Sequence, residues 1–204
     1  MMSTRRLTRM CRSRPIAAIA AALVAIVALG TAAAAQPPAS TAMAIPGMTG
    51  RFALETPAGN TVTQVSFPGK WLLVYFGYTQ CPDACPTALN AIAGAIRDLG
   101  PLADQLQPLF ITLDPQRDTP HVMADFVKSF DSGMIGLRGS DAETAAAANA
   151  FQVYYAVRDL DHSKYAIDYS SFIYVVDPAG RVVALLTGNL SAQAMAEALF
   201  RLLQ

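Results

Sequence analysis

Two cysteines, Cys81 and Cys85, stand four residues apart in GYTQCPDACPTAL, each followed by a proline. Thiolate is the form of cysteine that attacks disulfides and binds soft metals, so the chemistry depends on what lowers the thiol pKa. An apolar run precedes the pair and a helical pattern follows it. This puts Cys81 in a strand-to-helix loop and Cys85 in or near the first helical turn. Backbone N–H groups converge there and the helix dipole favours negative charge, so both thiols are expected to ionise readily. Three residues, Pro82-Asp83-Ala84, separate them, one more than in thioredoxin-type redox pairs. Positions four apart share a helix face, so the two sulfurs can converge on one ion. They can equally close a disulfide, as a redox pair or as a structural staple. Soft thiolates select Cu(I), whereas Zn(II) ordinarily takes four ligands.

The elements that must hold this pair follow from periodicity. WLLVYFGY is a continuous apolar, β-rich run that reads as a central strand buried on both faces. Behind the cysteines, Leu89, Ile92, Ile96 and Leu99 recur at helical spacing, with Pro86 in the first turn. PLFITL predicts a second buried strand. Asp118 or Thr119 can cap a helix opening at Pro120, with Met123, Phe126, Val127 and Phe130 on its apolar face. Ser140 and Glu143 form a capping-box pattern before TAAAANAF. FQVYYAV, FIYVVD and RVVALLTG predict strands, the last two joined by the turn Pro178-Ala179-Gly180, and Ser191 caps a closing helix. RFALETPAGNTVTQVSF predicts an N-terminal hairpin. The alternation implies an α/β fold, a mixed sheet flanked by helices, which is the order of a thioredoxin-like fold.

The formal net charge is zero, but five arginines and no acid lie in the first 35 residues, leaving ten basic against fifteen acidic groups in the rest. Such a domain does not suit nucleic acid or an anionic lipid surface. The basic start, the apolar run from Ile16 to about Gly30 and the small residues Ala33-Ala34-Ala35 have the form of an export signal. Uncleaved, Ile16 to Ala35 has roughly the 20 residues of one membrane anchor. Residues 1–35 are therefore expected to be a signal or anchor, 36–46 a linker rich in Ala, Pro, Ser and Thr, and 47–204 the folded domain, a monomer. The location implied is the periplasm, soluble or tethered to the inner membrane. Cys11 precedes the apolar run, so the mature domain keeps only Cys81 and Cys85, an even count that suits a disulfide in an oxidising compartment.

Three blocks, KWLLVYFGYTQCPDACPTAL, FITLDPQRDTPHVMADFVKSFDSGMIGLRGS and YAIDYSSFIYVVDPAGRVV, resemble the Sco/SenC family of exported thioredoxin-like proteins tied to copper delivery during cytochrome c oxidase assembly. The likeness runs from about Gly47 to the C-terminus. It implies copper, Cu(I) or Cu(II), as cargo, held by Cys81, Cys85 and a histidine in a D-H-S triplet. It implies as partner the copper-bearing oxidase subunit or another copper carrier. Counted back from Asp177-Pro178-Ala179-Gly180, the histidine's place falls on Tyr169; Asp161-His162-Ser163 lies seven residues earlier. Seven residues of extended strand span about 23 Å, and an odd shift turns the side chain to the other face.

Three readings stay open. His162 reaches the sulfurs if Asp159 to Lys164 is a loop folded over them; or Tyr169 takes the histidine's place and Cu(I) is held by two thiolates only or with a different third ligand; or the dithiol works alone. The resemblance accordingly allows a copper metallochaperone or a thiol-disulfide oxidoreductase that reduces the oxidase's copper-site cysteines, with Cys81 attacking and Cys85 resolving. His121, near a helix start, is expected to be exposed and uninvolved. Asp83 is expected to cap the helix after the cysteines, and Arg117 to pair with Asp118.

Overall fold

A computed structural model describes residues 44–161 and 164–204. The segment assigned to a signal or anchor, most of the linker, and His162 and Ser163 lie outside the described residues. Among the described residues no helix is long and apolar enough to cross a membrane.

The chain opens with the expected hairpin, β1 (Ala53–Glu55) against β2 (Thr61–Thr63). WLLVYFG forms β3 (Trp71–Gly77), every residue of it buried. Such a strand must be covered on both faces, and its place in the sheet explains why. β3 runs parallel to β4 (Leu106–Thr112) on one side and antiparallel to β8 (Phe172–Val176) on the other. β4 pairs in parallel with β5 (Ile135–Leu137), and β8 antiparallel with β9 (Val182–Thr187), giving the order β5-β4-β3-β8-β9.

Helix α1 (Ala84–Leu99) connects β3 to a 3₁₀ segment, Gly100–Gln105, ahead of β4. Its apolar positions Leu89, Ile92 and Leu99 are buried, and it packs on the closing helix α4 (Ala192–Leu203). Helices α2 (Pro120–Lys128) and α3 (Asp141–Ala150) complete the cover. The caps are those the sequence implies. The Thr119 hydroxyl accepts from Val122 N–H, Ser191 accepts from Ala194 N–H, and Ser140 with Glu143 makes the full reciprocal box. The thioredoxin-like expectation, a mixed sheet flanked by helices with an N-terminal hairpin, holds.

Two departures bear on the site. The strand expected at FQVYYAV begins four residues later, as β6 (Tyr155–Asp161). Phe151 instead closes α3 and is buried among Phe76, Tyr174 and Phe52 at ring distances of 5.3, 5.2 and 6.5 Å. Nor is Asp159 onward a loop up to Asp161. β6 continues to that residue and pairs with β7 (Lys164–Tyr169), from Tyr155↔Tyr169 out to Asp161↔Lys164. This ribbon is a separate two-stranded sheet: β6 leaves Val157 and Leu160 exposed, while β7 alternates exposed Lys164 and Asp168 with less exposed Tyr165, Ile167 and Tyr169.

Candidate functional site

β3 ends at Gly77 for a steric reason. A Cβ there would overlap Cys85 Sγ and lie 3.1 Å from Phe110 Cε2, so only glycine leaves room for the sulfur. Past Gly77 the chain turns through Tyr78, Thr79 and Gln80 into Cys81, whose N–H donates to the Tyr78 carbonyl at 3.1 Å. Cys81 keeps 8% of its surface exposed, and Cys85, in the first turn of α1, keeps none. The placement expected for the pair, loop then helix start, is the one observed. Both cysteines are free thiols.

Asp83 occupies the N-cap position of α1, but its side chain makes no capping bond. The acceptor is sulfur: Cys85 N–H donates to Cys81 Sγ at 3.4 Å. The capping role expected of Asp83 thus belongs to Cys81, which brings the helix N-terminus directly onto the thiol.

Three side chains from the second motif brace this loop. Asp118, fully buried, accepts from Thr79 N–H at 3.1 Å, from the Thr79 hydroxyl at 2.6 Å and from the Thr112 hydroxyl at 2.5 Å. With its carboxylate engaged there, Arg117 does not pair with Asp118 as expected. Its guanidinium binds buried Asp114, donates to Gln80 Oε1 at 3.3 Å and to the Tyr165 carbonyl at 3.0 Å, and stacks 3.6 Å from the Tyr165 ring centroid. Tyr165 in turn donates to Asp114 at 2.7 Å. Asp114 and Arg117 therefore join the residue before Cys81 to strand β7. Replacing Asp118 by alanine strands three donors beside the cysteine loop. It is expected to cost about 2 kcal/mol in urea unfolding, with Asp118→Asn milder because one acceptor oxygen survives.

β7 delivers Tyr169 to the sulfurs. Its hydroxyl lies 2.9 Å from Cys85 Sγ and 3.5 Å from Cys81 Sγ. It also bonds the Tyr75 hydroxyl at 3.1 Å, and Tyr75 bonds Ser171 Oγ at 2.9 Å. The Tyr169 ring is held edge-on by Tyr75 and Tyr78, at interplanar angles of 77° and 81°. Cys81, Pro82, Asp83, Ile167, Tyr169 and Ser171 line a shallow opening through which Cys81 meets solvent.

The two thiols differ in acidity. Hydrogen bonding from the Cys85 thiol, helped by the Tyr169 hydroxyl and the Cys85 and Asp83 N–H groups, outweighs burial and lowers Cys81 to about 5. The same bond to Cys81, with burial, pushes Cys85 up. Burial first, then the neighbouring Cys85 charge, pushes the Tyr169 phenol up, and Tyr75 rises chiefly by burial. At neutral pH the pair therefore holds one proton: an outer thiolate at Cys81, and an inner thiol at Cys85 that donates to it.

The histidines do not join this cluster in the described structure. His121 is exposed and pairs with Asp125 at 3.3 Å, as expected of it. His162 lies outside the described residues. Of its described flanks, Lys164 is separated from Tyr169 by five residues of strand, about 17 Å at 3.3 Å per residue. Among the described residues no group of three or more His, Cys, Asp or Glu side chains can hold a metal ion. The donor set at α1 is two sulfurs and one phenol oxygen. Two converging sulfurs suit a soft monovalent ion such as Cu(I), which accepts low coordination numbers.

The chain that carries this dithiol is similar to known proteins over the whole of its folded domain. The sequence profile described as SCO1/SenC matches residues 42–204. The chain belongs to the SCO1/SenC family. It is 37% identical over 158 residues to the protein sco1 of Schizosaccharomyces pombe, covering 76% of this chain and 60% of that protein's length. Among solved SCO1/SenC structures, copper-bound ScoI of Arabidopsis thaliana superposes with a TM-score of 0.71 at 33% identity, over 76% of this chain and 96% of that one. Copper-bound ScoI of Bradyrhizobium japonicum gives 0.70 at 37% identity, over 76% and 99%.

Sequence reasoning did not foresee the roles of Tyr75, Ser171 and Thr79. Tyr75 looks like one more apolar residue of a buried strand, and its position directly before Phe76 and Gly77 carries no polar signal. Tyr169 was singled out by its distance from Asp177 in the family pattern, but its contact with both sulfurs is a product of the fold.

Proposed function

We propose that this chain is an exported copper metallochaperone that carries Cu(I) on Cys81 and Cys85 and passes it to the binuclear copper site of a cytochrome c oxidase subunit during assembly. Residues 1–35 serve as signal or anchor, and the domain from about residue 47 works in the periplasm. The observation that carries this reading is the convergence of two free thiols at a helix start, both within 3.5 Å of the Tyr169 hydroxyl and open to solvent on the Cys81 side. Copper-bound relatives of the same fold support it.

Cu(I) meets the Cys81 thiolate first. Cys85 then releases its proton, and the second sulfur completes a two-coordinate site. A recipient thiolate entering beside Cys81 displaces it, and the ion leaves by ligand exchange with no change of oxidation state. Because loading expels a proton from Cys85, affinity rises with pH.

One feature favours a second role. An outer, acidic Cys81 at the edge of the opening, backed by a fully buried Cys85 whose thiol is held protonated, is the asymmetry of a dithiol that attacks a disulfide with one sulfur and resolves the mixed disulfide with the other. Such a reductase would prepare the oxidase's copper-site cysteines without carrying copper.

Anaerobic titration of the fully reduced domain with Cu(I) against a chelating competitor separates the two. The expected result is one Cu(I) per chain, with retention lost in Cys85→Ser. A wild type that never competes, while its disulfide exchanges readily with a dithiol peptide, overturns the carrier reading.

A further inference from the structure

Among the described residues, the side chain that meets both sulfurs at the start of α1 is Tyr169, through its hydroxyl oxygen, and the nitrogen that reaches Cys81 Sγ is the Cys85 backbone N–H, a donor with no lone pair to offer a metal. We infer that Tyr169 makes this a site that excludes Cu(II): copper offered in the oxidised state is reduced by the dithiol, and a Cys81–Cys85 disulfide is left behind. The inference deepens the copper-carrier proposal and rests on it only for the identity of the ion.

Cu(II) prefers nitrogen and oxygen donors in a tetragonal arrangement, and where thiolate holds it stably, as in blue-copper sites, imidazoles share the coordination sphere. Here the position next to both sulfurs is taken by a hydroxyl already committed to other partners. It bonds Cys85 Sγ and the Tyr75 hydroxyl, which bonds Ser171 Oγ, and the edge-on rings of Tyr75 and Tyr78 fix the ring that carries it. Moving the phenol aside to admit a nitrogen ligand breaks that chain of bonds. Among the described residues no third His, Cys, Asp or Glu completes a metal-binding group with the pair.

Both sulfurs lie within reach of the one Tyr169 hydroxyl, at 3.5 and 2.9 Å, and Cys81 Sγ also accepts from the Cys85 N–H, so the two are neighbours that can join. Two Cu(II) ions each take one electron. The Cys81 thiolate and the Cys85 thiol together lose two, one S–S bond forms, the Cys85 proton passes to solvent, and two Cu(I) ions result. Tyr169 acts as a specificity-determining residue by withholding the donor that would let Cu(II) stay.

The test adds Cu(II) anaerobically to reduced protein and follows three quantities: the electron paramagnetic resonance signal, free thiols, and Cu(I) captured by a Cu(I)-specific chelator. For the wild type, two equivalents of Cu(II) are expected to lose their signal, with two thiols consumed and two Cu(I) recovered. Tyr169→His is expected to retain one Cu(II) with nitrogen hyperfine coupling and intact thiols. Tyr169→Phe, which keeps the ring and adds no donor, is expected to behave as the wild type; Cu(II) retained by this variant overturns the inference. So does a wild type that keeps Cu(II) with its thiols intact. A phenolate-to-copper absorption band would then name Tyr169 as the ligand, and nitrogen coupling lost in His162→Ala would name His162. A wild type that oxidises its dithiol with Cu(II) but holds no Cu(I) leaves the exclusion standing and removes the carrier reading instead.

Discussion

Reduced protein titrated with base is expected to form one thiolate with a midpoint near pH 5 and no second thiolate through the neutral range, read as thiolate absorbance in the ultraviolet. The lower value belongs to Cys81, which is held at about 5 by the Cys85 thiol, the Tyr169 hydroxyl and backbone N–H groups at the head of α1. An ordinary cysteine titrates near 8.5, so the expected displacement is over three units. Cys85→Ala removes the largest of these donors and should move the midpoint upward further than Tyr169→Phe, which removes a lesser one. A wild-type midpoint near 8.5 would show that the hydrogen bonds do not hold the charge.

The same shift has a sign in stability. Cys81 is depressed in the folded state, so its contribution is complete above the unfolded value near 8.5 and lost as pH falls through about 5. Cys85 is raised, so its contribution is intact below that unfolded value and begins to be lost as pH rises past it. Reduced wild type should therefore gain stability relative to Cys81→Ala between about pH 5 and 8. The difference in urea midpoints across that interval measures the effect, and the comparison cancels the carboxylates that titrate nearby. A flat difference would sink the assignment.

Gly77→Ala is expected to cost about 2–3 kcal/mol and to disable the dithiol as well. The methyl group would overlap Cys85 Sγ and stand 3.1 Å from Phe110 and 3.4 Å from Tyr75. β3 is paired on both edges and cannot retreat, so the start of α1 must give way and carry Cys85 off Cys81. The Cys81 midpoint should then climb toward that of a free thiol, and Cu(I) retention should fall. Gly94→Ala provides the control. Its methyl would lie 2.5 Å from the Ala192 Cβ, at the contact of α1 with α4, so it should destabilise the fold while leaving the thiol midpoint in place. If both variants move the midpoint equally, Gly77 has no special claim on the site.

Much of this arrangement is legible in local sequence because its causes are local. A run such as WLLVYFG can only be buried from both sides, and Ser140 with Glu143 or Thr119 ahead of Pro120 marks a helix start wherever it occurs. Two thiols at CPDAC, between that strand and a helical period, define the loop and the dipole acting on them. Asp83 shows the limit of such reasoning. An acid at an N-cap looks like a capping group, yet the sulfur of Cys81, two residues earlier, reaches the N–H of Cys85 instead. β5 is three residues long and offers no period, and β6 leaves Val157 and Leu160 exposed, so neither its length nor its register against β7 could be read there.

What the sequence determined by itself is the class of chemistry: a soft dithiol at a helix N-terminus of an α/β domain, with Tyr169 where the family resemblance would put a histidine. What the tertiary structure alone decided is how the protons are distributed and what closes the site. Tyr169 and Cys85 are 84 residues apart, and Asp118 reaches Thr79 across 39. Contacts of that span depend on strand order and ribbon register, which no local pattern encodes. Side-chain contacts of the β6–β7 ribbon with Tyr75 and Arg117 put β7 and β3 around one pair of sulfurs, and hydrogen bonding there favours a thiolate at Cys81 while burial keeps the proton on Cys85.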